Sequence, residues 1–189
     1  GVKDTPLAES LSETFEAILL DRDRRFFRER DGAAEALLEL RGAEYWLKQI
    51  EALRGLGDDD STRLALNLIE WLEPENVPNQ LIVEAMFARF GLTVSPWPRK
   101  VGRLRRSLFY WRPLLERIPD DRLLHFIDLY AEYAVALVPP KDWAVRNNVC
   151  EPLVHLLVRS IDRSLVGPSD ASRIWEWLRP VEPAHHFER

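Results

Sequence analysis

Apolar residues recur every three or four positions from Leu7 to Leu178, and thirteen prolines cut this pattern into short lengths. That period places apolar side chains along one stripe of an α-helix, whereas a half-buried strand would alternate every second residue. Only Leu92 to Val94 tolerates a short extended reading. The prolines end helices, because the ring removes a backbone donor and clashes with the preceding turn. The expectation is an all-α fold of about nine helices packed as antiparallel hairpins.

Local signals place the helices. Thr5 and Pro6 have the chemistry of an N-cap and a first helical position, and Leu7, Leu11, Phe15, Ile18 and Leu19 follow on one face. Asp31-Gly32 opens a second helix, and Gly42 punctuates it. Trp46, Ile50 and Leu53 form the third stripe, and Leu64, Leu68, Trp71 and Leu72 the fourth. Ile82, Met86, Phe87 and Phe90 face inward on the fifth. Val101, Leu104, Leu108, Trp111, Leu115 and Ile118 mark the sixth, which Pro113 should kink or break near Arg112. Leu123, Ile127, Tyr130, Ala134 and Leu137 follow an Asp120 cap, and Trp143, Val149, Leu153, Leu156, Leu157 and Ile161 belong to the eighth helix, which Pro152 should interrupt. Ser169 caps the ninth helix, Asp170 to Arg179. Trp46, Trp71, Trp111 and Leu156 are expected in the core.

Helix pairs recurring roughly every 40 residues suit a HEAT-like array, with an irregular bundle as the alternative. One internal echo, Glu70-Trp71-Leu72-Glu73-Pro74 against Glu176-Trp177-Leu178-Arg179-Pro180, fits either a repeat or a common way to end a buried helix. The 189 residues are read as one domain over 1–180, with a sub-division point near 91–96 and a loose tail at 181–189.

The single cysteine, Cys150, cannot form an internal disulfide. Together with an N-terminus that is not a signal peptide, this suggests a reducing, cytoplasmic setting. No apolar run approaches the roughly 20 residues of a membrane helix. Twenty-two of the 26 basic residues are arginine, as a GC-rich bacterial genome would encode. The chain starts at Gly1 rather than methionine, which fits a processed start or a piece of a longer protein.

One segment stands out chemically. Between Gly91 and Leu115 there is no acidic residue, while Arg99, Lys100, Arg103, Arg105, Arg106 and Arg112 lie there, in a chain of net charge −5. On a helix, Arg99, Arg103 and Arg106 share the face opposite Val101, Leu104, Leu108 and Trp111. Such a face can neutralise phosphates, and Trp97, Phe109 and Tyr110 could stack on bases. The alternatives are a solvated face paired with the chain's own acids, such as Asp58 to Asp60, or an acidic protein partner.

Catalytic signals are weak. His125 and Asp128 stand three apart, but no nucleophile motif accompanies them. Cys150 and His155 are five apart, which points them to different faces. Carboxylates such as Glu13 and Glu16 fit solvent faces. His185-His186 lie in the tail, and no phosphate-binding glycine loop or metal-ligand spacing is present. No cofactor, metal or small-molecule substrate is expected, and an enzyme is the least supported reading. Trp97, Trp143 and Trp175 fit the buried stripes poorly and are candidate anchors for a protein partner. The expectation is a non-catalytic scaffold or protein-interaction module within a larger protein or complex. The alternative is an accessory nucleic-acid-binding domain using the basic helix over 99–112.

If the basic run binds duplex phosphates through three contacts, affinity should fall with salt at a log–log slope of about −2.7. Changing Arg99, Arg103 and Arg106 to glutamine should flatten the slope while preserving helix content. A gel-shift titration at low salt checks this, and no shift at roughly tens of micromolar protein removes the nucleic-acid reading.

Overall fold

The structure is a computed structural model and describes residues 5–20, 27–56, 59–72, 74–90, 92, 94, 107–138 and 143–179. These residues form α-helices and short 3-10 turns, with no strand among them. The chain divides into two compact units, Gly1–Leu72 with Pro96–Pro98, and Glu73–Ser95 with Arg99–Arg189. The tail 181–189 lies outside the described residues, as does 91–96 apart from Leu92 and Val94, which are both buried.

The first unit holds α1 (Pro6–Leu20), α2 (Phe27–Arg41), α3 (Ala43–Leu56) and α4 (Asp59–Trp71). Each helix packs on the next. The Ala8 N–H donates to Thr5 Oγ1 at 3.2 Å, which gives α1 the side-chain cap expected of threonine before proline. Asp31-Gly32 does not open α2 but sits inside it. Glycine in a helix costs about 1 kcal/mol relative to alanine. Burial of Ala33, Ala34 and Leu37 one turn on, in a helix packed against α1, outweighs that cost. Gly42 separates α2 from α3 at φ +78°, a left-handed conformation that glycine adopts without steric penalty.

Trp46, Ile50 and Leu53 on α3 are all buried, as are Leu64, Leu68 and Ile69 on α4. Each such side chain contributes roughly 1.5–3 kcal/mol relative to exposure. The side chain of Trp71 lies outside the described residues. Gln49 Nε2 on α3 donates to Glu16 Oε1 on α1 at 2.9 Å, a polar tie across the unit. Beside it, burial and the Glu16 carboxylate push the Tyr45 phenol up to about 12.

The second unit holds α5 (Asn79–Arg89), α6 (Ser107–Arg117), α7 (Asp120–Leu137), α8 (Trp143–Asp162) and α9 (Ala171–Leu178). Every residue of α5 from Leu81 to Ala88 is buried, so this helix is enclosed on all sides. That enclosure includes the Glu84 carboxylate, which accepts from Gln80 Nε2 at 3.0 Å and from the Tyr133 hydroxyl at 3.2 Å. Phe87 is the centre of an aromatic cluster, with ring centroids 5.6 Å from Phe90, 5.0 Å from Tyr130 and 5.7 Å from Tyr133. The buried Tyr130 hydroxyl donates to the Val149 carbonyl of α8 at 2.8 Å.

Pro113 does not break α6, which runs from Ser107 to Arg117 in one piece. The ring faces solvent, while Trp111, Leu114, Leu115 and Ile118 are buried around it. Their burial outweighs the lost backbone hydrogen bond. α8 likewise continues through Pro152. Leu156 is fully buried on its inner stripe, but Ile161, expected on that stripe, is 52% exposed. The cap of α7 is Pro119, so Asp120 is the first helical residue. A 3-10 turn, Pro168–Asp170, leads into α9.

Two arginines join these helices end to side. Arg122 of α7 donates through Nη1 to the carbonyls of Pro74, at 2.8 Å, and Glu75, at 3.1 Å. Its Nη2 reaches the Val77 carbonyl and Asn79 Oδ1. In return, Asn79 Nδ2 donates to the Arg122 carbonyl at 3.2 Å. Arg159 of α8 donates to the carbonyls of Leu115 and Ile118 at the end of α6. It also donates to Asp120 Oδ1 at 3.0 Å, at the start of α7. A planar guanidinium with five donors suits such convergent acceptors.

Arg122→Met should therefore lower stability by about 2–3 kcal/mol, since it strips a charged donor from several partly buried acceptors. Arg122→Lys should recover less than half of the loss, because one ammonium cannot span the same acceptors. Urea midpoints of the three proteins measure both effects. Equal midpoints would show that the guanidinium does not hold the turn before α5.

Candidate interaction surface

The predicted basic residues Arg99, Lys100, Arg103, Arg105 and Arg106 lie outside the described residues, as does Trp97. Trp143 opens α8, but its side chain also lies outside them. Arg112 is described. It is exposed on α6 and its Nε donates to Glu116 Oε1 at 2.7 Å, one turn along. That hydrogen bond holds the Glu116 carboxyl below its usual range. Trp175 on α9 is 61% exposed.

The residues with catalytic potential are drawn into separate structural roles. Asp128 accepts from Arg173 Nη2 at 2.5 Å and from the Trp177 indole N–H at 2.7 Å, so α7 uses it to hold α9. His125 instead faces Asn79, with Nδ1 3.3 Å from Asn79 Nδ2. Burial raises the pKa of the Cys150 thiol, the opposite of what an activated nucleophile requires. Among the described residues no cluster of three or more histidine, cysteine, aspartate or glutamate side chains could hold a metal ion. No described helix is long and apolar enough to cross a membrane.

The second unit also leaves apolar side chains exposed among its charged ones. Val154, Val158 and Ile161 of α8 are 43%, 51% and 52% exposed. Their spacing of four and three places them on one face over two turns. The opposite face carries Val149, Leu153 and Leu156, all fully buried. Glu151 and Asp162 flank the outer ridge and are exposed. α8 is thus apolar on two sides, one of which the unit itself does not cover.

Beside α9 lies a second feature. A cavity of about 570 Å³ opens between α7 and α9, lined by residues that include Ala131, Glu132, Val135, Ser172 and Trp177. Val135 is 53% exposed there, whereas Trp177 is 3% exposed beneath the Arg173 guanidinium, which sits 4.8 Å from the indole centroid.

Trp175 stands out in the sequence, whereas Val154, Val158, Val135 and Glu132 do not, and spacing assigns Ile161 to the core. The available signal was an α8 whose apolar residues fill two interleaved stripes. Comparison with protein families, characterised proteins and solved structures finds no match to this chain.

His155, between α8 and α6, supplies a pH test. Its Nε2 is buried without a hydrogen-bond partner among the described residues. Burial, with Arg112 and Arg159 nearby, lowers its pKa below 6.5. The unfolded chain then takes up a proton first, so stability present above pH 6.5 is lost as pH falls through the folded value. Urea midpoints should fall between roughly pH 7.5 and 5.5, and His155→Gln should flatten that fall. An identical pH profile in the variant would show that His155 does not carry the effect.

Proposed function

We propose that this chain is a non-catalytic protein-interaction module of the scaffold kind, working within a larger protein or complex and docking through its second unit. The observation that carries this reading is the outer ridge of α8. Single exposed aliphatic residues are ordinary on protein surfaces, but contiguous apolar patches characterise interaction sites. Val154, Val158 and Ile161 form such a row while the helix's other apolar stripe is already used in the core. Trp175 adds an exposed aromatic residue of the type enriched at interface anchors. The commitment of Asp128 to Arg173 and Trp177, and of His125 to Asn79, supports a non-catalytic role.

The alternative, an accessory nucleic-acid-binding domain, rests on the acid-free run of cations beginning at Arg99. Arg112, the member of that set within the described residues, already gives its guanidinium to Glu116.

Photo-crosslinking in the native cell tests the module reading. A photoreactive residue at position 158 or 161 should yield a discrete adduct with another protein. The same residue at position 48, on the exposed face of α3, should not. Ile161→Asp should abolish the adduct formed from position 158. Absence of adducts, or the same adducts from position 48, would overturn the assignment of this ridge.

A further inference from the structure

We infer that the groove between α7 and α9 receives a basic amphipathic helix, with an aliphatic side chain on its apolar floor and a lysine or arginine one turn away against Glu132. This rests on the reading of the chain as an interaction module but concerns a different surface from the α8 ridge. The floor is aliphatic and aromatic, from Ala131 and Val135 on one side to Trp177 on the other. The cavity of about 570 Å³ opens to solvent along the exposed Val135 side chain. An open trough between two helices suits the apolar face of a third helix better than a small molecule, which requires near-complete enclosure.

The charges specify the sign of the partner. Among the described residues, three carboxylates line the groove, from Asp128, Glu132 and Glu176, with a single cation, Arg173. Asp128 takes both Arg173 Nε, at 3.3 Å, and Nη2, at 2.5 Å, so that cation is neutralised within the fold. Glu176 has Arg179 at 3.5 Å, in a pair whose side chains are about two-thirds exposed. Glu132 is exposed and has no cation opposite it among the described residues. A partner cation there is attracted without displacing an internal pair. An acidic partner meets uncompensated like charge, which disfavours docking. Phosphate-rich ligands are rejected at this face for the same reason.

The test uses two synthetic helical peptides with the same leucine positions, one bearing lysines and the other glutamates on the polar face. Binding to the full chain is followed by fluorescence anisotropy at low salt. The lysine peptide should bind and weaken as salt rises, and the glutamate peptide should not bind. Glu132→Lys should weaken the lysine peptide roughly tenfold or more, the effect of one close charge pair. Glu132→Gln should give an intermediate loss, Val135→Asp should abolish binding, and Val158→Asp on α8 should leave it unchanged. Circular dichroism of Glu132→Lys confirms that this exposed substitution preserves the fold. Equal binding of both peptides, indifference to Glu132→Lys, or no binding at roughly millimolar peptide would overturn the assignment. If the groove fails while crosslinks from position 158 persist, the groove inference falls and the module reading stands. Loss of the crosslinks alone leaves the groove standing.

Discussion

Backbone carbonyls at helix exits and in the turns between short helices are the constraint on which the second unit depends. An α-helix leaves four carbonyls and four N–H groups unpaired at its ends. α5 and α6 are each eleven residues long, so such groups form a large part of their backbone. Leaving one buried acceptor unpaired costs about 1–3 kcal/mol. The unit meets this cost with guanidinium groups sent from other helices: Arg159 serves the carbonyls at the exit of α6, and Arg122 those of the turn that precedes α5. Arg159 also spans the turn between α6 and α7, placing positive charge at one helix's C-terminus while binding the first acidic residue of the next. The aromatic cluster around Phe87 packs between helices held by these ties.

α9 is attached by different means. At eight residues it is too short to be stable as an isolated helix. Its fixed points are the Trp177 indole, buried and donating to Asp128, and Arg173, donating to the same carboxylate while covering the indole face. Docking through one side of the helix leaves Trp175 on another side in solvent. It also leaves an open cavity of about 570 Å³ between α7 and α9. One carboxylate, Asp128, thus anchors the short helix that forms one wall of the cavity.

Much of the helical architecture was legible in the residues. Thr5-Pro6 capped α1, Gly42 broke the chain with a left-handed turn, and the stripes containing Trp46, Trp111 and Leu156 are buried. The failures were places where local rules met tertiary packing. Gly32 lies inside a helix and Pro113 inside another, because buried neighbours on the same helices outweigh local penalties of about 1–3 kcal/mol. Ile161 was placed inward by spacing alone, yet it continues the outer row of Val154 and Val158.

The sequence by itself determined that the described chain is helical, where many of its helices begin and end, and which residues can form apolar stripes. Those properties arise from interactions between residues a few positions apart. Only the tertiary structure decided which stripe of α8 the core covers, which acceptors Arg122 and Arg159 serve, and that Asp128 binds α9 rather than His125. Each of these depends on side chains roughly 20 to 50 positions apart in the chain, and period and propensity contain no information about such pairs.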